Sequence, residues 1–115
     1  MARTFVVSLN DKYDLRGLKK FGDLIFLYTD KQAIHVNNPN ALMADNIERL
    51  ERFDFDPDKD FIVLVGTLAS ASFFMCAALI EYRKIKVLIY DARAGKYFER
   101  LVAEPEYDDS KEPTS

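Results

Sequence analysis

Gly66-Thr67-Leu68-Ala69-Ser70 sets a turn-forming glycine and two hydroxyl side chains at the start of an apolar run, and Asp91 closes the β-rich run that follows it. Free backbone N–H groups at a helix start, helped by the Thr67 and Ser70 hydroxyls, could accept a phosphate or carboxylate. Asp91 could then contact a ribose or a cation. The chemistry would be nucleotide or phosphate binding. A plainer explanation is that Gly66 makes the turn and Thr67 or Ser70 caps the helix. The turn lacks the extra glycines or the lysine that make phosphate-binding fingerprints specific, which favours the plainer explanation.

Other reactive side chains are few. His35 is the only histidine, and beside Asn37 and Asn38 it forms no metal constellation, so a surface or edge position is expected. Asp54, Asp56, Asp58 and Asp60 alternate as calcium-loop ligands do. Pro57, Lys59 and the lack of a turn glycine and closing glutamate depart from that pattern, which leaves a solvated turn. Asp30 and Asp91 both follow apolar runs and could share a polar edge with Gly66, although acids at strand ends are ordinary turn formers. Cys76 lies among Phe73, Phe74, Met75, Ala77 and Ala78, which predicts a buried small hydrophobe with a suppressed thiolate. Acid–base catalysis has few candidates here. No metal site and no cofactor motif are read from these residues.

The elements that would position these groups follow from periodicity. Phe5–Leu9 and Leu24–Tyr28 read as strands, with a short helix from an Asp14 cap to Phe21 between them and Gly22 ending it in the left-handed conformation. Ala33–Val36 allows a short edge strand. Asn38-Pro39-Asn40 starts a helix in which Leu42, Met43, Ile47, Leu50 and Phe53 recur at helical spacing. Residues 60–91 then read as one βαβ unit: strand Phe61–Val65, turn at Gly66, helix Ala69–Arg83 and strand Lys86–Tyr90. The run Asp91–Lys96 reverses the chain into strand Tyr97–Val102. The expected fold class is α/β, a single-domain sandwich over residues 1–103 with a mostly parallel, Rossmann-like sheet of about five strands and a C-terminal hairpin. An order of 2-1-3-4-5 with right-handed crossovers protects the first strand at the centre.

Composition sets bounds. A chain of 115 residues with 49% hydrophobic residues suffices for one core. The net charge of −3 is set by the segment 104–115, where Glu104, Glu106, Asp108, Asp109 and Glu112 against Lys111 alone give −4, and residues 1–103 come to +1. That segment reads as an acidic, disordered tail, dispensable for folding and pairing. The rest shows no broad positive footprint, which argues against a nucleic-acid partner. One cysteine fits a reducing compartment, and the N-terminus shows no apolar signal segment. The near-uncharged run Phe61–Ile80 is long enough for a membrane span, but Gly66-Thr67 divides it into strand and helix, so no membrane partner is expected.

YDLRGLKKFGDLIFLYTD, FDFDPDKDFIVLVGTLA and KVLIYDARAGKYFERLV together resemble a group of small bacteriophage-encoded α/β proteins. The resemblance covers about two thirds of the chain. The group has no assigned activity and supplies no catalytic residues to carry over. The resemblance implies the cytoplasm of a bacterial host. Related-looking sequences have a glycine-acid-proline turn after the third strand, where this chain has Gly66-Thr67-Leu68.

Two functions are open at this point. The first is a non-enzymatic accessory protein that binds a protein partner or self-associates as a homodimer, because the apolar third helix offers Phe73, Phe74, Met75, Leu79 and Ile80 around more than one face and something must cover it. A two-fold contact between two such helices would do so. The second is a small nucleotide- or phosphate-binding domain using the Gly66–Ser70 turn with Asp91.

Overall fold

The computed structural model describes residues 2–8, 15–29, 34–65 and 67–103. They form β1 (Arg3–Ser8), a 3₁₀ helix (Arg16–Phe21), β2 (Asp23–Tyr28), α1 (Pro39–Arg52), β3 (Phe61–Val63), α2 (Leu68–Tyr82), β4 (Lys84–Asp91) and β5 (Lys96–Ala103). Gly66, Asp30, Asp14 and the acidic segment 104–115 lie outside the described residues, as do the expectations attached to them.

The strands stand in the order β2-β1-β3-β4-β5. β1 runs parallel to β2 and β3, and β3 runs parallel to β4. β5 is antiparallel to β4, with Val87 opposite Arg100 and Asp91 opposite Lys96. The expected mostly parallel sheet is therefore a mixed one. The cause is local: a short turn after Asp91 leaves no length for a crossover, so the chain can only run back beside β4.

Connection direction decides which face each helix covers. The step from β1 to β2 runs one way across the sheet, and the steps from β2 to β3 and from β3 to β4 run the other way. Right-handed crossovers then put the 3₁₀ helix on one face and both α-helices on the other. Phe5, Leu42, Leu50, Ile62, Phe74, Ala78, Ile85 and Val87 make the core on the α-helical side. Val6, Leu18, Phe61, Val63, Val65, Leu88 and Tyr97 make the core under the 3₁₀ helix. Alternate residues of β1 and β4 divide between the two, as the strand period of two demands.

Local sequence explains the boundaries. Asn38 caps α1, its side chain accepting from Ala41 N, and Pro39 takes the first helical position, where a missing N–H costs nothing. The first helix is a 3₁₀ turn starting at Arg16. Gly22 is at φ 144°, ψ 179°, an extended conformation of positive φ rather than the expected left-handed helical one. A Cβ there would lie 2.2 Å from the Ala2 carbonyl oxygen, so close passage of β1 accounts for the glycine. β3 is shorter than expected, although Leu64 N still donates to Leu88 O at 3.3 Å. Ile34, His35 and Val36 form no strand.

Candidate functional site

The start of α2 is capped by its own residues, as the capping half of the plainer explanation expects. Thr67 is the N-cap, its Oγ1 accepting from Ser70 N at 3.2 Å, and Ala71 N donates to Thr67 O at 2.9 Å. Ser70 is buried, so its side chain turns inward. Leu68 is 85% exposed and Ala69 is half-buried. An anion would meet a helix start whose cap is already in place and whose most prominent side chain is apolar.

Asp91 is likewise engaged. Its Oδ1 accepts from Arg93 N at 2.9 Å and Ala94 N at 3.3 Å, and its carbonyl accepts from Gly95 N, which makes it the organiser of the β4–β5 turn. Asp91 lines an open hollow of about 470 Å³ with Ile89, Arg93, Phe98 and Arg100. Leu68 borders another, of about 430 Å³, with Leu64, Ala71, Ser72 and Met75. The two hollows share no lining residue. Thr67, Leu68, Ala69 and Ser70 thus stand together at the start of α2, while the Asp91 carboxylate is taken up by its own turn.

The remaining candidate groups are also accounted for. His35 is exposed and borders a hollow of about 320 Å³ with Asn37, Asn38, Leu42 and Asp45. Behind Asp45 lies a network that the sequence did not announce. Tyr28 Oη donates to Asp45 Oδ2 at 2.6 Å and lies 2.9 Å from the Asn46 amide. Arg49 Nε donates to Asp45 Oδ2 at 3.0 Å, Arg49 Nη1 donates to Leu27 O, and the guanidinium sits 4.0 Å from the Tyr28 ring centroid. Burial first, and then the Asp45 hydrogen bond and charge, raise the Tyr28 phenol well above its ordinary value. A phenol held protonated and bonded this way is a structural strut. The spacing of Asp45 and Arg49 at i and i+4 was visible in the sequence; their convergence on Tyr28 needed the fold.

The acidic turn binds protein groups. Asp60 is 1% exposed, which corrects the expected solvated turn. Its carboxylate accepts from Arg3 N at 2.9 Å, Asp56 N at 2.8 Å and Arg3 Nη2 at 3.0 Å. Among the described residues no group of three or more histidine, cysteine, aspartate and glutamate side chains could hold a metal ion.

What the site does offer is apolar surface on α2. Ser70, Phe74, Ala77 and Ala78 are buried against the sheet and α1. One helical turn apart on the outer side stand Leu68, Ser72, Cys76 and Ile80, with Leu68 85% and Ile80 64% exposed. Cys76 is exposed, not buried as its apolar neighbours suggested, because a helix apolar all round must turn some of those residues outward when only one side meets the core. No charged residue interrupts this stripe. Among the described residues no helix is long and apolar enough to cross a membrane.

A family model described as phage Pam3 gp32-like protein matches residues 2–103. The chain belongs to that family of phage proteins. The match spans β1 through β5 and the resemblance to small phage α/β proteins is borne out. No curated protein and no solved structure matches the chain.

Proposed function

We propose that this phage protein is a non-enzymatic accessory protein that works in the host cytoplasm by macromolecular contact, with the outer face of α2 as its contact surface. The carrying observation is the uncharged stripe of Leu68, Ser72, Cys76 and Ile80 on a helix whose opposite side already fills the core. Leaving side chains as large as Leu68 and Ile80 in water forgoes about 1.5–3 kcal/mol each relative to burying them, which an interface would recover. The engagement of the polar side chains points the same way: Asp60, Asp91, Tyr28 and Asp45 all hold protein atoms. We read the open sheet with its two α-helical crossovers as Rossmann-like in architecture, a scaffold that carries the contact helix without serving a nucleotide at the Gly66–Ser70 turn.

The test compares the wild type with a Leu68→Glu/Ile80→Glu variant of unchanged circular dichroism, by sedimentation and by capture from host cells. The wild type should assemble, or retain a protein that the variant loses. A monomeric wild type whose captured proteins match those of the variant would remove the reading.

A further inference from the structure

Three features of α2 select its occupant. The stripe of residues four apart is a ridge of the kind that packs into the equivalent groove of another helix at a crossing angle near −50°. Such a crossing brings the backbones closest at its centre and lets them diverge at the ends. The stripe has small side chains, Ser72 and Cys76, at its centre and large ones, Leu68 and Ile80, at its ends, so it matches an antiparallel copy of itself. The third feature is charge. The first turn of α2 carries no acid and its last turn no base, while Glu81 lies at the C-terminal end, where the helix dipole disfavours a negative charge. An antiparallel second copy brings Glu81 of each chain toward the positive start of the other's α2.

We propose that two copies of this chain pair through α2 about a two-fold axis, the helices crossing antiparallel with Ser72 of each chain opposite Cys76 of the other and Leu68 opposite Ile80. This rests on the reading of α2 as the contact surface and names its occupant. The pairing is isologous and closes at two chains, since the same patch is used on both sides.

Sedimentation equilibrium of the full chain, with Ile80→Glu and Ser72→Cys variants alongside, tests it. The wild type should be dimeric at micromolar concentration, and Ile80→Glu should weaken pairing about 100-fold. Ser72→Cys should give a covalent dimer on mild oxidation, the introduced thiol of each chain joining Cys76 of the other, whereas Lys96→Cys on β5 should not. A wild type that stays monomeric, or a dimer in which Ser72→Cys cross-links no better than Lys96→Cys, overturns the proposal. If the monomeric wild type nevertheless captures a protein that Leu68→Glu/Ile80→Glu loses, the self-pairing fails and the contact surface stands.

Discussion

Arg3 and Asp60 meet at 3.0 Å across 57 residues of sequence, and the contact ties the start of β1 to the segment that enters β3. The same guanidinium donates to Phe53 O and Asp54 O at 2.6 Å each, closing the end of α1 onto the sheet. Asp60 is buried while Arg3 keeps part of its side chain in water, so the carboxylate carries the desolvation cost and its three donors offset it.

Asp60→Ala should therefore destabilise the protein by about 2–3 kcal/mol, because it strands two backbone N–H groups and leaves the Arg3 guanidinium with carbonyl acceptors but no counter-charge. Asp60→Asn should recover only part of the loss, since one of its two side-chain oxygens becomes a donor facing donors. Urea unfolding of the three proteins measures this. Equal midpoints would mean that the clasp contributes nothing.

Thr4 presents the opposite case. Its Oγ1 is buried with no hydrogen-bond partner among the described residues, on the face of β1 that carries Val6. Thr4→Val keeps the shape and the β-branching of the side chain and removes an unsatisfied hydroxyl. Stability should rise by about 1 kcal/mol, read as a higher urea midpoint at unchanged slope. A loss of stability would show that the hydroxyl is satisfied after all.

Gly22 admits no side chain. Its φ of 144° is disfavoured for residues with a Cβ, and that atom would meet the Ala2 carbonyl at 2.2 Å, a backbone group that cannot swing aside. Gly22→Ala should cost about 3 kcal/mol or more and lower the melting temperature by over 10 °C. Gly95→Ala is the comparison: φ there is 65° with nothing within 4 Å, so only backbone strain of about 1 kcal/mol applies.

Period and punctuation carried the architecture. The strand order, both α-helices, the β4–β5 hairpin and the uncovered apolar helix all follow from runs such as Phe61–Val63 and Lys84–Asp91 and from the turn at Asp91. The polar interior was far less legible. Asp60 looked like one acid among four in a wet turn, and only the approach of Arg3 from the far end of the chain makes it a buried acceptor. Tyr28 looked like the last residue of an apolar strand until α1 set Asp45 and Arg49 over it. Cys76 was misplaced because neighbours in sequence are not neighbours around a helix: Ala77 and Ala78 are buried while Cys76 points outward. Long-range pairing and helix rotation are properties of the fold, which local spacing does not encode.

Glu51 on α1 and Glu81 on α2 meet across the two helices. The Glu51 carboxyl is raised above its ordinary value, first by a hydrogen bond with Glu81, then by the negative charge of that group. A carboxyl whose folded pKa exceeds its unfolded one contributes stability that is complete below the unfolded value and lost as pH rises through the folded value. At neutral pH the two charges oppose each other across α1 and α2. Glu51→Gln should then raise the melting temperature by roughly 1–2 °C at pH 7 and flatten its dependence on mildly acidic pH. Tyr82 supplies an independent readout, for its phenol is pushed up to about 12 by burial first and by Glu51 and Glu81 after it. Removing one of those charges should lower the tyrosinate absorbance midpoint while burial keeps it above the ordinary 10.0. An unchanged Tyr82 midpoint together with an unchanged acid profile would mean that the two glutamates do not interact across the helices.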